Sequence, residues 1–409
     1  MTAVAPIVIG YNTNQDIAGQ KQIASRLIGM KNKLQDETVV LAPNSTYFTT
    51  DAFNSYKTYR EDNGQTITCV SLEPLGNPDA DTIRNFLKSN YLDGFRRTLL
   101  IIGDEYLIPS KKCYDLNYHG HTYEMHSDFY YGDLEGNWDK NNDNRYGEFL
   151  NDAVDFLDPE FIVGRLPVTY AYESDAILNR IVKYEKDTAS WKKNMLCAAG
   201  TIGEPGDASL VMYRIDKILS RRNYPVTTMT DKGFFKFIKP DIELNETSFR
   251  KAWKEGQYGL IYVISHGSPT VICYYRGNYD YPIFFDVWDI PDLNPDYPGI
   301  YISLGCNNLQ QYWEGGDNLG KALIKNCTVA AVGSTTITDP GYISGAWAES
   351  FFPRMYLLRN YNLGKAMHIT KSIYYLLFLR FKRNYDLGFS LQTNLLAFTI
   401  YGDPLIKQY

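Results

Sequence analysis

Two apolar runs of the sequence end in residues whose side chains could carry out nucleophilic catalysis. The run 258–264 is followed by His266 and Gly267, and the run 300–305 is followed by Cys306. Both runs consist mainly of Val, Ile, Leu and Tyr without alternation, which predicts strands that are covered on both faces, as in a parallel sheet. Because functional groups of open α/β sheets lie just beyond the carboxyl ends of strands, we expect the imidazole and the thiol to meet in one crevice.

An imidazole beside a thiol makes a nucleophile with its own acid/base partner. The imidazolium of His266 would stabilise the thiolate of Cys306, and the same ring can protonate the amine that leaves when an amide bond breaks. Gly267 has no Cβ, so a substrate can approach its backbone, and its N–H could join that of Cys306 in an oxyanion hole. A small buried Cys and a His at a turn would fit the same spacing, so the pattern alone leaves both interpretations open.

Several further motifs, in their order along the chain, resemble those of the gingipain-like cysteine peptidases, which have a caspase-like fold. They extend from about Leu99 to Leu405 and are Leu99-Leu-Ile-Ile-Gly103-Asp104 with Ile108-Pro109, Ser127-Asp128-Phe-Tyr-Tyr-Gly132, Pro159-Glu160-Phe-Ile-Val-Gly164-Arg165-Leu-Pro167, Val332-Gly333-Ser334-Thr335 and Tyr401-Gly402-Asp403-Pro404-Leu405. The resemblance implies an α/β fold with two adjacent Rossmann-like parallel-sheet subdomains flanked by helices. It also implies a cysteine endopeptidase in which Cys306 forms a thioester with the peptide carbonyl and His266 is the acid/base.

The resemblance further implies an acidic residue near the His, in the loop after the first strand of the catalytic half. In the loop 200–207 the nearest carboxylate is Glu204, which could orient His266 or stabilise its charged form. Asp207 is a candidate for the floor of the pocket that receives the residue before the scissile bond, where a carboxylate would favour Arg or Lys. Asp207 also precedes a predicted helix, and a capping role explains it equally well.

A histidine cluster supports an alternative function, that of a metal-dependent hydrolase. His119, His121 and His126 are three of the five histidines and fall within eight residues, and H-x-H is a spacing that metal enzymes use. The stretch has no H-E-x-x-H motif, so histidines of a surface loop fit it as well. A catalytically silent, peptidase-like binding protein is the other alternative.

A second cluster, Asp139, Asn141 and Asp143, places oxygen ligands at alternate positions, as suits a hard cation such as Ca²⁺. The spacing departs from an EF-hand, because Asn144 and Leu150 stand where that motif needs Gly and Glu. A structural Ca²⁺ and a solvated Asn/Asp turn are therefore both expected possibilities. The Cys/His chemistry itself requires no cofactor.

The composition favours a globular protein and disfavours several binding functions. Of the 409 residues 44% are hydrophobic and 22% are charged, and the formal net charge of −6 argues against nucleic-acid binding. The six cysteines have no C-x-x-C spacing, which argues against zinc-ribbon and redox motifs and predicts free thiols in a reducing compartment.

The ends and the apolar runs give expectations about location and partners. Residues 1–10 look like a first strand rather than a signal peptide, and no apolar run is long enough to cross a membrane. We therefore expect a cytoplasmic protein without membrane contact, or a secreted one if the sequence is a processed mature form. The expected partners are a protein or peptide substrate and a regulatory protein that restrains the peptidase.

The elements that must position these residues alternate between strand and helix. This alternation predicts two α/β units, 1–190, with a long Asp/Asn/Gly-rich loop region at 110–157, and 191–409, which carries the catalytic pair. The predicted strands are 6–10, 38–41, 98–102, 161–164, 195–199, 225–229, 258–264, 300–305, 328–333 and 395–401. The predicted helices are 17–34, 80–88, 172–187, 208–222, 248–255, 318–326 and segments of 344–383.

Overall fold

A computed structural model of the chain describes residues 34–118, 121–148, 151–203, 208–231, 238–338, 354–382 and 391–408. The predicted strand 6–10 and all but the last residue of the predicted helix 17–34 lie outside them. The strands are β1 (Leu34–Ala42), β2 (Thr66–Ser71), β3 (Arg96–Ile102), β4 (Lys111–Tyr118), β5 (His121–Ser127), β6 (Phe161–Leu166), β7 (Met195–Ala199), β8 (Val226–Thr230), β9 (Ile242–Glu243), β10 (Leu260–Ile264), β11 (His266–Gly267), β12 (Val271–Cys273), β13 (Ile283–Asp286), β14 (Ile300–Ser303), β15 (Ala330–Ser334) and β16 (Phe398–Gly402).

Helices connect most of these strands. The α-helices are α1 (Asp51–Asp62), α2 (Ala80–Tyr91), α3 (Ala171–Lys186), α4 (Ser209–Ser220), α5 (Ser248–Glu255), α6 (Leu319–Asn326), α7 (Leu363–Lys382) and α8 (Leu391–Ala397). Short 3₁₀ helices cover Ser45–Phe48, Glu73–Leu75, Asp128–Tyr131, Ser190–Lys193 and Val287–Asp292, and a π-helical turn covers Arg354–Leu358. Across the ranges given above, no helix is both long and apolar enough to cross a bilayer.

Eleven strands form one large, mostly parallel sheet, so the predicted α/β class is confirmed. Its strand order is β2-β1-β3-β6-β16-β15-β14-β10-β7-β8-β9. The strands from β2 to β16 are parallel to one another, and so are those from β15 to β9. The two sets meet at an antiparallel pair, β15 with β16. The two predicted sheets are thus continuous, and the last strand of the chain lies at the seam between them.

The central strands are buried along their whole length, which explains why apolar residues follow one another along them without alternation. Every residue of β3, β10 and β14 is buried. A strand in the middle of a sheet covered on both faces has no solvent side, so its sequence does not alternate between apolar and polar residues.

Buried charged residues stabilise the end of β16, the strand at which the two sets of parallel strands meet. Asp403, directly after β16, accepts hydrogen bonds from the Tyr56 hydroxyl at 2.7 Å and from Arg60 Nη2 at 2.6 Å. The second terminal nitrogen of the guanidinium, Arg60 Nη1, lies 2.6 Å from Glu185 Oε2 on α3. Since a buried charge is tolerated only when it is paired, this arrangement gives a physical reason for an Asp after the final strand.

The region 110–157 is not a loop throughout, contrary to the prediction. Its first part is the antiparallel hairpin β4–β5, in which the buried side chains of Cys113 and Met125 face each other across the ladder. Polar and tyrosine residues fill most other positions of both strands, so the sequence lacks the apolar alternation by which a strand is recognised. The hairpin packs beside α8 and the segment after β15, which the sequence pattern could not indicate.

Candidate active site

The two reactive residues follow the carboxyl ends of two neighbouring strands in the middle of the sheet. β10 and β14 are paired in parallel, with Val263 opposite Ser303. His266 follows the end of β10 by two residues, and Cys306 follows the end of β14 by three. Both side chains are partly exposed.

The backbone of Gly267 packs directly against that of Cys306. A Cβ atom on Gly267 would lie 2.6 Å from the carbonyl oxygen of Cys306 and 3.0 Å from its nitrogen, so a side chain at this position has no space. Asn308 ties the two loops together, because its Nδ2 donates to the carbonyl of Ser268 at 2.7 Å and its Oδ1 accepts from Ser303 Oγ at 2.6 Å. The peptide groups of Gly267 and Cys306 are therefore held side by side.

The His266 ring is held by a backbone carbonyl and an aromatic ring. Its Nε2 lies 2.6 Å from the carbonyl oxygen of Ile202, in the loop after β7. Since a carbonyl can only accept, Nε2 carries the hydrogen and Nδ1 of the neutral ring is left as the basic nitrogen. Tyr281 contacts the imidazole edge to face, with ring centroids 5.2 Å apart.

The Cys306 sulfur lies beside Thr338, which follows β15. The Thr338 N–H donates to Sγ at 3.4 Å, and Thr338 Oγ1 is 3.5 Å from the sulfur. Next to the cysteine, Asn307 takes a left-handed conformation with φ of 58°, and its N–H donates to the carbonyl of Thr336 at 3.0 Å. The sharp turn after β14 therefore presents the thiol at the rim of the sheet.

Burial disfavours the thiolates of the other five cysteines. All six lie in the described ranges and are free thiols. Burial raises the pKa of Cys273 to about 11, helped by the charge of the nearby Cys306, and burial raises the pKa of Cys327 to about 12. Burial also raises the pKa of Cys69, Cys113 and Cys197. The position of Cys306 after β14, against the loop that carries His266, makes it the candidate nucleophile.

The sequence profile of peptidase family C25 matches residues 32–409. The chain belongs to peptidase family C25. As a member, it is a cysteine peptidase, and therefore a hydrolase. No curated protein matches its sequence.

Solved structures show that this C25 peptidase shares the fold of the gingipains. It is 17% identical to the Arg-specific cysteine proteinase gingipain R, with a TM-score of 0.67 over 91% of this chain and 78% of that one. The complex of the Porphyromonas gingivalis RgpB pro- and mature domains matches at 17% identity and a TM-score of 0.66, over 90% and 79% of the chains. A structure described only as a protease matches at 14% identity and a TM-score of 0.67, over 92% and 79%.

A buried polar network in the C25 peptidase ties the cysteine loop to the first half of the chain. Arg165 on β6 donates to both carboxylate oxygens of Asp128, at 2.8 and 2.6 Å. Gln311, five residues after Cys306, lies 3.5 Å from Asp128 through Nε2 and accepts from the Ser110 hydroxyl through Oε1. Asp128 and Arg165 belong to two of the motifs that carried the resemblance, and the network gives them a structural purpose.

Sequence reasoning missed Ile202, Tyr281 and Thr338. Ile202 acts through its carbonyl and Thr338 partly through its N–H. Since almost every residue type has these backbone groups, the sequence gives no sign of such a role. Tyr281 is one of 34 tyrosines in the chain, so its type alone could not distinguish it. Two residues that were predicted, Glu204 and Asp207, lie outside the described residues, although Ile202 comes from the same loop.

Of the three clustered histidines, the structure describes the side chain of His126 alone. Its ring lies 4.4 Å from that of Tyr312, and burial, together with the charge of Lys112, lowers its pKa to about 4. His121 is placed by its backbone on β5, and His119 lies outside the described residues. No group of three or more His, Cys, Asp and Glu residues within the described ranges has a geometry that could hold a metal ion.

The carboxylates of the Asp/Asn cluster stabilise a turn. The oxygens of Asp139 accept from the N–H groups of Asp143 at 2.9 Å and Asn144 at 3.2 Å. Those of Asp143 accept from the N–H of Arg145 and from Asn141 Nδ2, both at 2.9 Å. A calcium ion would have to replace some of these bonds, so the donor set fits the turn without requiring the cation, and calcium stays a prediction.

Proposed function

We propose that this C25 peptidase is an endopeptidase that cleaves peptide bonds with a Cys306/His266 dyad. The observation that carries the proposal is the packing of the Gly267 backbone on that of Cys306, at the ends of two paired strands. This packing brings together a thiol, an imidazole loop and two peptide N–H groups, which are the parts that thiol-dependent acyl transfer needs.

In the proposed reaction the Cys306 thiol passes its proton to Nδ1 of His266, because Nε2 is occupied by the Ile202 carbonyl. The thiolate then attacks the peptide carbonyl, and the resulting oxyanion accepts from the N–H groups of Gly267 and Cys306. The imidazolium donates its proton to the departing amine, and a thioester remains on Cys306. Water, deprotonated by His266, attacks the thioester and releases the acid and the thiol.

We assign supporting roles to two residues of the loop 200–207. Glu204 would orient His266 or stabilise its charged form. Asp207 would lie at the floor of the pocket and favour Arg or Lys before the scissile bond. The fold shared with a proteinase that is described as Arg specific supports this preference.

Regulation by a protein segment or partner is part of the proposal. One of the matching structures is a complex of a pro-domain with its mature domain, and this complex supports the proposal. A cytoplasmic or secreted location stays a prediction.

The test is cleavage of a peptide library by the full chain, with Cys306→Ala as the blank and Cys273→Ala as the matched control. We expect cleavage after Arg or Lys, its loss in Cys306→Ala, and its retention in Cys273→Ala. Cleavage by the Cys306→Ala protein would refute the dyad. Loss of activity with a chelator but not with a thiol-alkylating reagent would favour the metal-dependent hydrolase instead.

A further inference from the structure

Within the part of the chain that the structure describes, the Cys306 sulfur makes its hydrogen-bonding contacts with a single residue. Three polar atoms of Thr338 lie near Sγ: the backbone nitrogen at 3.4 Å, the hydroxyl oxygen at 3.5 Å and the carbonyl oxygen at 3.9 Å. The Thr338 hydroxyl oxygen is also 3.3 Å from the carbonyl oxygen of Leu304, so the hydroxyl can donate either to this carbonyl or to the sulfur. Among residues whose side chains are described, no other group hydrogen-bonds the sulfur.

Backbone bonds from the residues just after the cysteine place the segment that leads to Thr338. The N–H of Leu309 donates to the carbonyl of Ser334 at 2.9 Å, and the N–H of Asn307 donates to that of Thr336 at 3.0 Å. The segment 334–338 therefore runs alongside the loop that carries the nucleophile. The contact between the Thr338 N–H and the sulfur follows from this pairing of backbones.

The two charge states of the sulfur use Thr338 differently. The neutral thiol can donate its proton to the Thr338 carbonyl or hydroxyl oxygen, whereas the thiolate can only accept. The Thr338 N–H already points at the sulfur, and the hydroxyl can rotate its hydrogen from Leu304 to the thiolate. Hydrogen bonds to a charged group are stronger than those between neutral groups, so both donors favour the thiolate.

We propose that Thr338 is a further catalytic residue, which stabilises the Cys306 thiolate through its N–H and its hydroxyl. The inference rests on the proposed function, because it assigns a group to the nucleophile of that reaction. The role of Thr338 complements that of His266. His266 accepts the proton of the thiol, and Thr338 stabilises the negative charge that remains on the sulfur.

The proposal has a kinetic signature that a purely structural role lacks. Removing the hydroxyl should move the pH midpoint of thiol alkylation upward by about one unit, since a hydrogen bond to a charged group is worth at least this much. A less stabilised thiolate is also more nucleophilic, with a Brønsted slope of about 0.4–0.5, so the limiting rate above the midpoint should rise about threefold. A distorted site would instead lose rate at every pH.

The experiment follows iodoacetamide alkylation of Cys306 in the full chain across pH, with the modified peptide quantified by mass spectrometry. Thr338→Val should show both changes, and Thr338→Ser, which keeps the hydroxyl, should behave like the natural protein. Thr335→Val is the matched control, because it removes a hydroxyl of the same segment that donates to the His126 carbonyl. An unchanged midpoint in Thr338→Val, or an equal shift in Thr335→Val, would overturn the proposal.

Two further measurements keep the result interpretable. If Thr338→Val does not fold, as judged by circular dichroism, Thr338→Ala removes the same hydroxyl and takes its place in the test. If the natural protein hydrolyses no peptide, the proposed endopeptidase function is refuted. Alkylation needs no peptide substrate, so the pH midpoints of Cys306 alkylation still decide the role of Thr338.

Discussion

Replacement of Gly267 by Ala tests the oxyanion hole most selectively. The new Cβ would lie 2.6 Å from the Cys306 carbonyl oxygen, 2.9 Å from Asn308 Nδ2 and 3.0 Å from the Cys306 nitrogen. Two of these atoms belong to the backbone and cannot rotate away. The loops that carry His266 and Cys306 must therefore separate.

The size of the separation follows from the contact distances. Ordinary van der Waals contact begins at 3.4 Å, so the Gly267 and Cys306 backbones must move apart by about 0.8 Å. A displacement of about 1 Å in a reacting geometry lowers rates about 100-fold. Loss of one oxyanion-hole donor lowers kcat about 100- to 1,000-fold. We therefore expect kcat of Gly267→Ala to fall at least about 100-fold, and the forced backbone shift to lower the free energy of unfolding by about 1–3 kcal/mol.

The assay compares peptide hydrolysis with alkylation of Cys306 by iodoacetamide. Alkylation at sulfur forms no oxyanion, so Gly267→Ala should lower hydrolysis far more than alkylation. Ser268→Ala, which changes the next residue without adding an atom, is the control and should affect neither rate strongly. Equal losses of both rates in Gly267→Ala would show that the dyad itself is disrupted, and unchanged hydrolysis would refute the oxyanion hole at Gly267.

Three further predictions concern stability. Asp128→Asn leaves the fully buried Arg165 without its carboxylate and should lower the free energy of unfolding by about 3–5 kcal/mol. In the same urea titration Glu61→Gln, which breaks the exposed pair with Lys57, should lower it by less than about 1 kcal/mol, and equal losses would contradict the account. Burial lowers the pKa of Lys371 to about 7 from an ordinary value of 10.5, so the unfolded chain binds more protons between these values and stability should rise with pH there. Lys371→Met should flatten this rise in urea unfolding measured at several pH values, whereas parallel curves would show that the amine does not titrate in this range. If Ca²⁺ binds at Asp139, Asn141 and Asp143, its addition should raise the thermal midpoint, and Asp139→Asn with Asp143→Asn should abolish the response. A chain whose midpoint ignores both calcium and a chelator would exclude the site.

The sequence predicted the buried strands and their ends well because that information is local. The run 260–264 is apolar at every position and the run 300–303 at all but Ser303, and strands of this kind lie inside a sheet covered on both faces. The residues that follow them, His266 and Cys306, must then emerge at the edge of the sheet. The resemblance to the gingipain-like peptidases added the fold class, which the family match and the solved structures confirm.

Other features depend on contacts between distant parts of the chain. β16 comes from the end of the sequence and pairs with β6 and β15, so no local pattern indicates that it joins the two sets of strands. The partners of the dyad are similar, since Ile202 and Thr338 contribute backbone groups whose position only the fold determines. The hairpin β4–β5 was missed because polar residues occupy most of its positions.

The most direct test of the dyad is to trap the acyl-enzyme and locate it by mass spectrometry. The full chain is mixed with a peptide that it cleaves, quenched in acid within the first turnover and digested. We expect the N-terminal part of the substrate to be attached as a thioester to the fragment that contains Cys306, and to be absent in His266→Ala at the same time point. Turnover without any adduct, or an adduct on another residue, would contradict the assignment of Cys306 as the nucleophile.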